Sequence, residues 1–186
     1  MGTLQLLQPE ESAELPDDGP VEWAPVAPYW SVLWRSGVAL AREVSDARLA
    51  GLRVVELGCG LAAPGIAAAL GGARVLATDM DDEALELVGR NARLNGVEVE
   101  TAVVDWSEPD ALAARGPFDL VLAADVLYER AAVAQLLALL PRLAPEAWLA
   151  EPGRPPAEPF LERARMRWRV QTRRRGVVSV HRMQLG

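Results

Sequence analysis

The sequence predicts an α/β protein built on a seven-stranded, mostly parallel sheet with helices on both faces and an antiparallel C-terminal hairpin. Three observations carry this. Short apolar runs alternate with amphipathic stretches between residues 52 and 150, the pattern of strand–helix–strand units whose sheet is covered on both sides. The first run ends in Gly58-Cys59-Gly60, turn chemistry that can join a strand to a helix. Near the end, Met166 to Gln171 and Val177 to Met183 read with period two around an Arg-Gly turn, as a hairpin does.

The elements follow in order. Residues 1–28 hold Pro9, Pro16, Pro20 and Pro25 and six acids without a base, and read as an acidic, loosely attached arm ahead of a domain over 29–186. Val32, Leu33, Val38, Leu40, Ala41 and Val44 form a helical stripe from Ser31 to Val44. Leu52–Leu57 is a buried strand. Pro64–Leu70 is a helix with proline in its first turn and Gly71-Gly72 as its stop. Arg74–Thr78 is a second strand leading to Asp79, and Asp82–Asn95 a helix closed by Asn95-Gly96. Val97–Val104 is a third strand, Phe118–Ala123 a fourth, Arg130–Leu143 a long helix and Ala147–Ala150 a fifth strand.

With 186 residues, 51% of them hydrophobic, the chain suits one domain with a core of its own. One cysteine and one histidine exclude a disulfide framework and a structural zinc centre, and no metal is expected. No run approaches the ~20 apolar residues of a bilayer span, and the opening residues lack the basic start and apolar core of a secretory signal. A cytoplasmic protein without membrane contact is therefore expected. The net charge is −7, with −6 in residues 1–28, −7 in 29–150 and +6 in 151–186. An acidic body argues against general nucleic-acid binding and suits a basic partner segment.

Ligands of parallel sheets sit at the carboxyl ends of the strands, and the unusual residues gather there. The turn at Gly58-Cys59-Gly60 lets backbone approach a ligand while the next helix aims its N-terminus at it. Asp79, about 20 residues on, can accept hydrogen bonds from ribose hydroxyls. Asp105 ends the third strand, and Trp106 offers a stacking face for an adenine. Gly58 to Ala63 also fits the G-x-G-x-x-G/A dinucleotide fingerprint. Two details favour S-adenosylmethionine over NAD. Glu56, inside the strand end, would repel a pyrophosphate and attract a methionyl ammonium. In addition, one sheet consumes the chain and leaves no segment for a dehydrogenase's second domain.

From about Pro28 onward these residues resemble the Rossmann-like class I (seven-strand) S-adenosylmethionine-dependent methyltransferases. The run VVELGCG looks like their first motif, Asp79 like the ribose-binding acid and Asp105-Trp106 like the adenine-side motif. FDLVLAADVLYE (Phe118 to Glu129) resembles the strand-four motif of the protein lysine methyltransferase branch, with its acid-x-x-aromatic signature as Asp125-Val126-Leu127-Tyr128. PYWSVLWRSGVALAR and EPGRP look like the enzymes that methylate the β subunit of electron-transfer flavoprotein. In those, proline follows the tryptophan that Trp34 matches, and aspartate opens the second motif; here the residues are Arg35 and Glu151.

The resemblance implies an S-adenosylmethionine cofactor held by Trp34, Glu56, Gly58, Cys59, Gly60, Asp79, Met80, Asp105, Trp106 and Ala124. It implies Asp125 and Tyr128 as catalytic residues and, as acceptor, a lysine of a protein such as the electron-transfer flavoprotein β subunit or another basic segment. Asp125 would orient the amine and take its proton, directly or through water, while Tyr128 walls the pocket. By position alone, an Asp N-cap with a packed tyrosine fits as well. A small-molecule N-methyltransferase acting on a nicotinamide-type acceptor, and a non-catalytic S-adenosylmethionine-binding partner module, are the alternatives, with an NAD oxidoreductase more distant. Trp30 and Trp34, four apart, are expected on one helix face. Cys59 reads as a small filler without redox role, His181 as structural, Arg163, Arg165, Arg167 and Arg169 as a solvated strand face, and Arg173-Arg174-Arg175 as a turn.

Overall fold

A computed structural model describes residues 3–9 and 28–186. The strands are β1 (Arg53–Leu57), β2 (Arg74–Asp79), β3 (Glu100–Val103), β4 (Leu120–Ala124), β5 (Glu146–Glu151), β6 (Trp168–Arg175) and β7 (Val178–Leu185). They form one sheet in the order β3-β2-β1-β4-β5-β7-β6. β1 to β5 run parallel, β7 enters antiparallel beside β5, and β6 pairs antiparallel with β7 at the edge. The fold is the expected one.

Alternate side chains of each central strand feed opposite cores, as period-two geometry requires. Val55, Leu76, Val121, Ala123 and Leu149 point to a core completed by α4 (Pro109–Ala113), α5 (Arg130–Leu143) and α6 (Ala157–Ala164). Val54, Val75, Leu120, Leu122, Trp148 and Ala150 point to the other side, covered by α1 (Arg35–Ser45) and α2 (Ala63–Leu70). There α2 also packs on α3 (Asp82–Leu94) through Ile66, Leu85 and Val88. Burial on both faces is why the strands read as unbroken apolar runs. Among the described residues no helix is long and apolar enough to cross a membrane.

Several elements differ from expectation. Tyr29–Ser31 is a 3-10 turn and α1 begins only at Arg35. Trp30 therefore lies in the turn and Trp34 is the extended N-cap of α1, so the two do not share a helix face. Helices α4 and α6 occupy stretches to which no element was assigned; in α6 the prolines lie at the first turn, where a missing N–H is harmless. Arg163 belongs to α6 and Arg165 caps its end, so the arginine row is no strand face. Arg173, Arg174 and Arg175 lie in β6. Arg173 and Arg175, with Arg182 of β7, surround the carboxylate of Glu43 on α1, which is 2% exposed.

The described part of the acidic arm is tied down. Leu4 and Leu6 pack against the core beneath α2 and α3. Asn95 of the α3 C-cap accepts from Gln5 N (3.0 Å) and donates to Gln5 O (2.6 Å). Asn91, one turn earlier, does the same for Leu7 (2.6 and 3.2 Å). Its proline and acid cluster at residues 10–27 lies outside the described residues.

Candidate active site

At the carboxyl end of the sheet lies a cavity of about 640 Å³, bounded by the β1–α2 turn, the ends of β2, β3 and β4, and the aromatic segment before α1. Its volume falls in the range of small-molecule sites. Each residue expected to hold the cofactor lines it: Trp34, Glu56, Gly58, Cys59, Gly60, Asp79, Met80, Asp105, Trp106 and Ala124. Asp125 and Tyr128 line it too, from the β4–α5 connection.

The glycine turn is shaped by what touches it. Gly58 and Gly60 have φ of +57° and +47°, conformations that cost little only for glycine. A Cβ on Gly58 would press on Val126 and Trp106 (3.2 and 3.3 Å), and one on Gly60 would stand 2.9 Å from Trp30 O. The turn is thus wedged between the Trp106 plate and the aromatic segment. Cys59 faces inward, and burial, with the charges of Glu56 and Asp79, pushes its thiol well above its usual range, which suits a filler.

The acids are held differently. Glu56 is fully buried, and its Oε2 accepts the Gly65 N–H at 2.7 Å. Helix α2 has no side-chain cap of its own, because its N-cap is Ala62 in the left-handed conformation. Glu56 therefore serves its first turn, and a Cβ at Gly65 would collide with that carboxylate. Burial, opposed by the Gly65 hydrogen bond and helped by Asp79, raises Glu56 to about 8. Asp79 Oδ2 accepts from Gly60 N (2.9 Å), and its Oδ1 from Met80 N (2.8 Å) and Asp81 N (3.2 Å). This ties the end of β2 to the glycine turn; burial nevertheless leaves its pKa above the ordinary value. Asp105 is exposed and forms a local turn with Ser107 N at 2.8 Å.

Asp125 adopts φ +59°, tolerated because Asp is among the few residues that visit this region. It is not the N-cap of α5, which is Glu129. Its Oδ2 accepts Ser36 Oγ at 3.1 Å and its Oδ1 accepts Arg154 Nε at 2.6 Å. Tyr128 is 45% exposed at the mouth, its ring stacked 6.5 Å from that of Tyr29. Burial, then the charges of Glu129, Asp79 and Tyr29, keep its hydroxyl protonated.

Sequence reasoning missed Tyr29, Ser36 and Arg154. Arg154 could have been found by the rule used for the acids, since it follows the end of β5 closely. The stacking of Tyr29 on Tyr128 and the reach of Ser36 to Asp125 span 99 and 89 residues and carry no local signal.

The residues present fit S-adenosylmethionine. Backbone lies open at the glycine turn, an apolar plate stands beside it, and carboxylates wait for a ribose and an ammonium. Trp30 lines the same cavity.

Comparison with known proteins agrees with this geometry. Over 122 residues the chain is 37% identical to the electron transfer flavoprotein beta subunit lysine methyltransferase of Xenopus laevis, covering 63% of this chain and 48% of that protein. It is 36% identical over 120 residues to the protein N-lysine methyltransferase METTL21A of Danio rerio, covering 61% and 55%. The chain thus spans about half the length of these relatives. Among solved structures, the 16S rRNA N2 G1207 methyltransferase of T. thermophilus, in complex with AdoMet and guanosine, superposes with a TM-score of 0.67 at 18% identity, over 83% of this chain and 44% of that one; it shares the fold. The model of the family described as lysine methyltransferase matches residues 29–148, from the aromatic segment to the middle of β5, and the chain belongs to that family, on the fold of the S-adenosylmethionine-dependent methyltransferases.

Proposed function

We propose that this protein transfers a methyl group from S-adenosylmethionine to the side-chain amine of a lysine in a protein substrate. The observation that carries the reading is the Asp125–Tyr128 pair, set on the β4–α5 connection between the glycine turn and the open mouth. S-adenosylmethionine, when bound, supplies a methyl group already activated on a sulfonium sulfur. What remains for the protein is to place a nitrogen lone pair in line at about 3 Å and exclude water.

Tyr29 and Tyr128 form apolar walls at the mouth, suited to the four-carbon stem of a lysine. Asp125 has about four lone-pair directions, of which Ser36 and Arg154 take two. The others can accept N–H bonds from an amine and so turn its lone pair toward the cofactor side. Electron-transfer flavoprotein β subunit is a candidate substrate through the relatives' names, and an acidic chain favours a basic target segment.

The test is transfer of labelled methyl from S-adenosylmethionine into a lysate of the source cells, separated into protein and soluble fractions. The expected result is label in a protein band, reduced at least about hundredfold by Asp125→Ala with S-adenosylhomocysteine binding unchanged. Label confined to the soluble fraction would establish a small-molecule acceptor instead. Cofactor binding without transfer to either fraction would point to a binding module or to an acceptor already fully methylated in the cell.

A further inference from the structure

Asp125 does not face the cavity as a bare carboxylate. Besides donating to it from Nε, Arg154 lays its guanidinium 5.5 Å from the centroid of the Trp34 ring. Arg154 leaves β5 through the turn at Gly153, whose N–H donates to Glu151. Glu151 is gripped by His181, whose Nε2 lies 3.1 Å from Oε1, and His181 Nδ1 lies 2.8 Å from Thr172 Oγ1. Glu151 and His181 are both buried. The guanidinium is therefore seated by a chain of contacts running through β5, β7 and β6, with the buried Glu151–His181 pair at its centre.

The rest of the cavity is acidic. Glu56, Asp79, Asp81, Asp105 and Glu129 line it, with Cys59 inside and Tyr29 and Tyr128 at the mouth, and Arg154 is the one cation among the described lining residues. From α1, Asp125 meets Ser36, beside Arg35 in sequence.

A lysine amine attacks only when uncharged, yet its ordinary pKa near 10.4 leaves about one in a thousand neutral near pH 7.4. A lone buried carboxylate would make this worse, because an opposite charge holds the proton on. A carboxylate already paired with guanidinium presents no net charge, and a fixed cation at that distance disfavours a second one.

We infer that Arg154 belongs to the acceptor site, where it cancels the charge of Asp125 so that the site takes an alkyl amine in its neutral form. The amine's extra proton passes to bulk water before it seats, and one of its N–H groups then donates to Asp125. The inference rests on the acceptor being an amine, as proposed above.

The experiment reads binding and needs neither methyl transfer nor a protein substrate, so it fails independently of that proposal. Two probes are titrated against the protein saturated with S-adenosylhomocysteine, using tryptophan fluorescence: n-butylamine, and the permanently charged n-butyltrimethylammonium. In the wild type, affinity for total n-butylamine should rise about tenfold per pH unit from about pH 7.5 to 9.5, following its neutral fraction. The charged probe should bind weakly and without that rise. Arg154→Gln should flatten the amine's pH course and strengthen binding of the charged probe, while Arg154→Lys should keep the wild-type course. Equal binding of both probes by the wild type, no binding of n-butylamine, or the same pH course in Arg154→Gln each overturns the assignment. Should Arg154→Gln not fold, the wild-type comparison and Arg154→Lys decide it.

Discussion

Glu56 sits inside the end of β1 with its carboxyl buried, and burial raises it to about 8 from an ordinary 4.5, against the Gly65 hydrogen bond and with help from Asp79. Between those values the folded protein holds a proton there that the unfolded chain releases. Stability from this group is therefore greatest at low pH and declines as pH rises from about 4.5 to about 8. A cationic ligand group placed beside Glu56 favours the ionised form, so binding of S-adenosylhomocysteine should expel the proton. Its affinity should then rise by up to about tenfold per pH unit between about pH 6 and 8, with binding enthalpies that depend on the buffer's ionisation heat. Glu56→Gln should abolish both effects; calorimetry showing no proton release in the wild type would separate Glu56 from the ligand. The sequence exposed Glu56 as a carboxylate inside an apolar run. It could not show that the same side chain caps α2, because that depends on Gly65 coming close enough, nine residues on.

Helix α1 carries another buried acid, Glu43, and its contacts decide how the C-terminal hairpin is fastened. Glu43 takes hydrogen bonds from Arg173 and Arg182 (3.4 and 3.0 Å) and from Arg175, on two adjacent antiparallel strands. Arg182 also lies 3.8 Å over the Trp148 ring. Burial works to raise the Glu43 pKa, but the bond from Arg175 and the charges of Arg175, Arg173 and Arg182 outweigh it, leaving it below 4.5. Its contribution is thus present above about pH 4.5 and lost as pH falls through the lower folded value. Glu43→Gln keeps the shape and removes the charge, and should cost about 1–3 kcal/mol at neutral pH, read as a lower urea midpoint with unchanged slope. The difference from wild type should vanish in acid. Helix α5 and strands β1, β2, β4 and β5 were legible because a strong local pattern and burial on both faces agree. The arginines were not: Arg173-Arg174-Arg175 reads as a turn until Glu43, some 130 residues earlier, turns out to face Arg173 and Arg175. Likewise α6 hides behind the prolines of its own first turn.

Across the molecule, the residues expected around the cofactor line one cavity at the carboxyl end of the sheet, so the place of the candidate site was readable from the strand ends. What was not readable is how the rim is assembled from distant chain: Tyr29 on Tyr128, Ser36 and Arg154 on Asp125, and Gln8 Nε2 donating to Ser31 O at 3.2 Å. The last contact joins residues 3–9 to the aromatic segment, and the same seven residues lie along α3 through Asn91 and Asn95. Removing residues 1–9 would strip five amide hydrogen bonds, two of them with the fully buried Asn91. The expected loss is about 2–4 kcal/mol, seen as a melting point lower by roughly 5–15 °C. Four of those bonds reach the backbone of Gln5 and Leu7, so α3 reads this stretch much as a neighbouring strand would, with almost no regard for side chains except Leu4 and Leu6. A seat of that kind should accept the same residues supplied as a separate peptide. A synthetic peptide of residues 3–9, added in excess to the shortened protein, should restore the lost melting temperature, and the same peptide methylated on the nitrogens of Gln5 and Leu7 should leave it where it was.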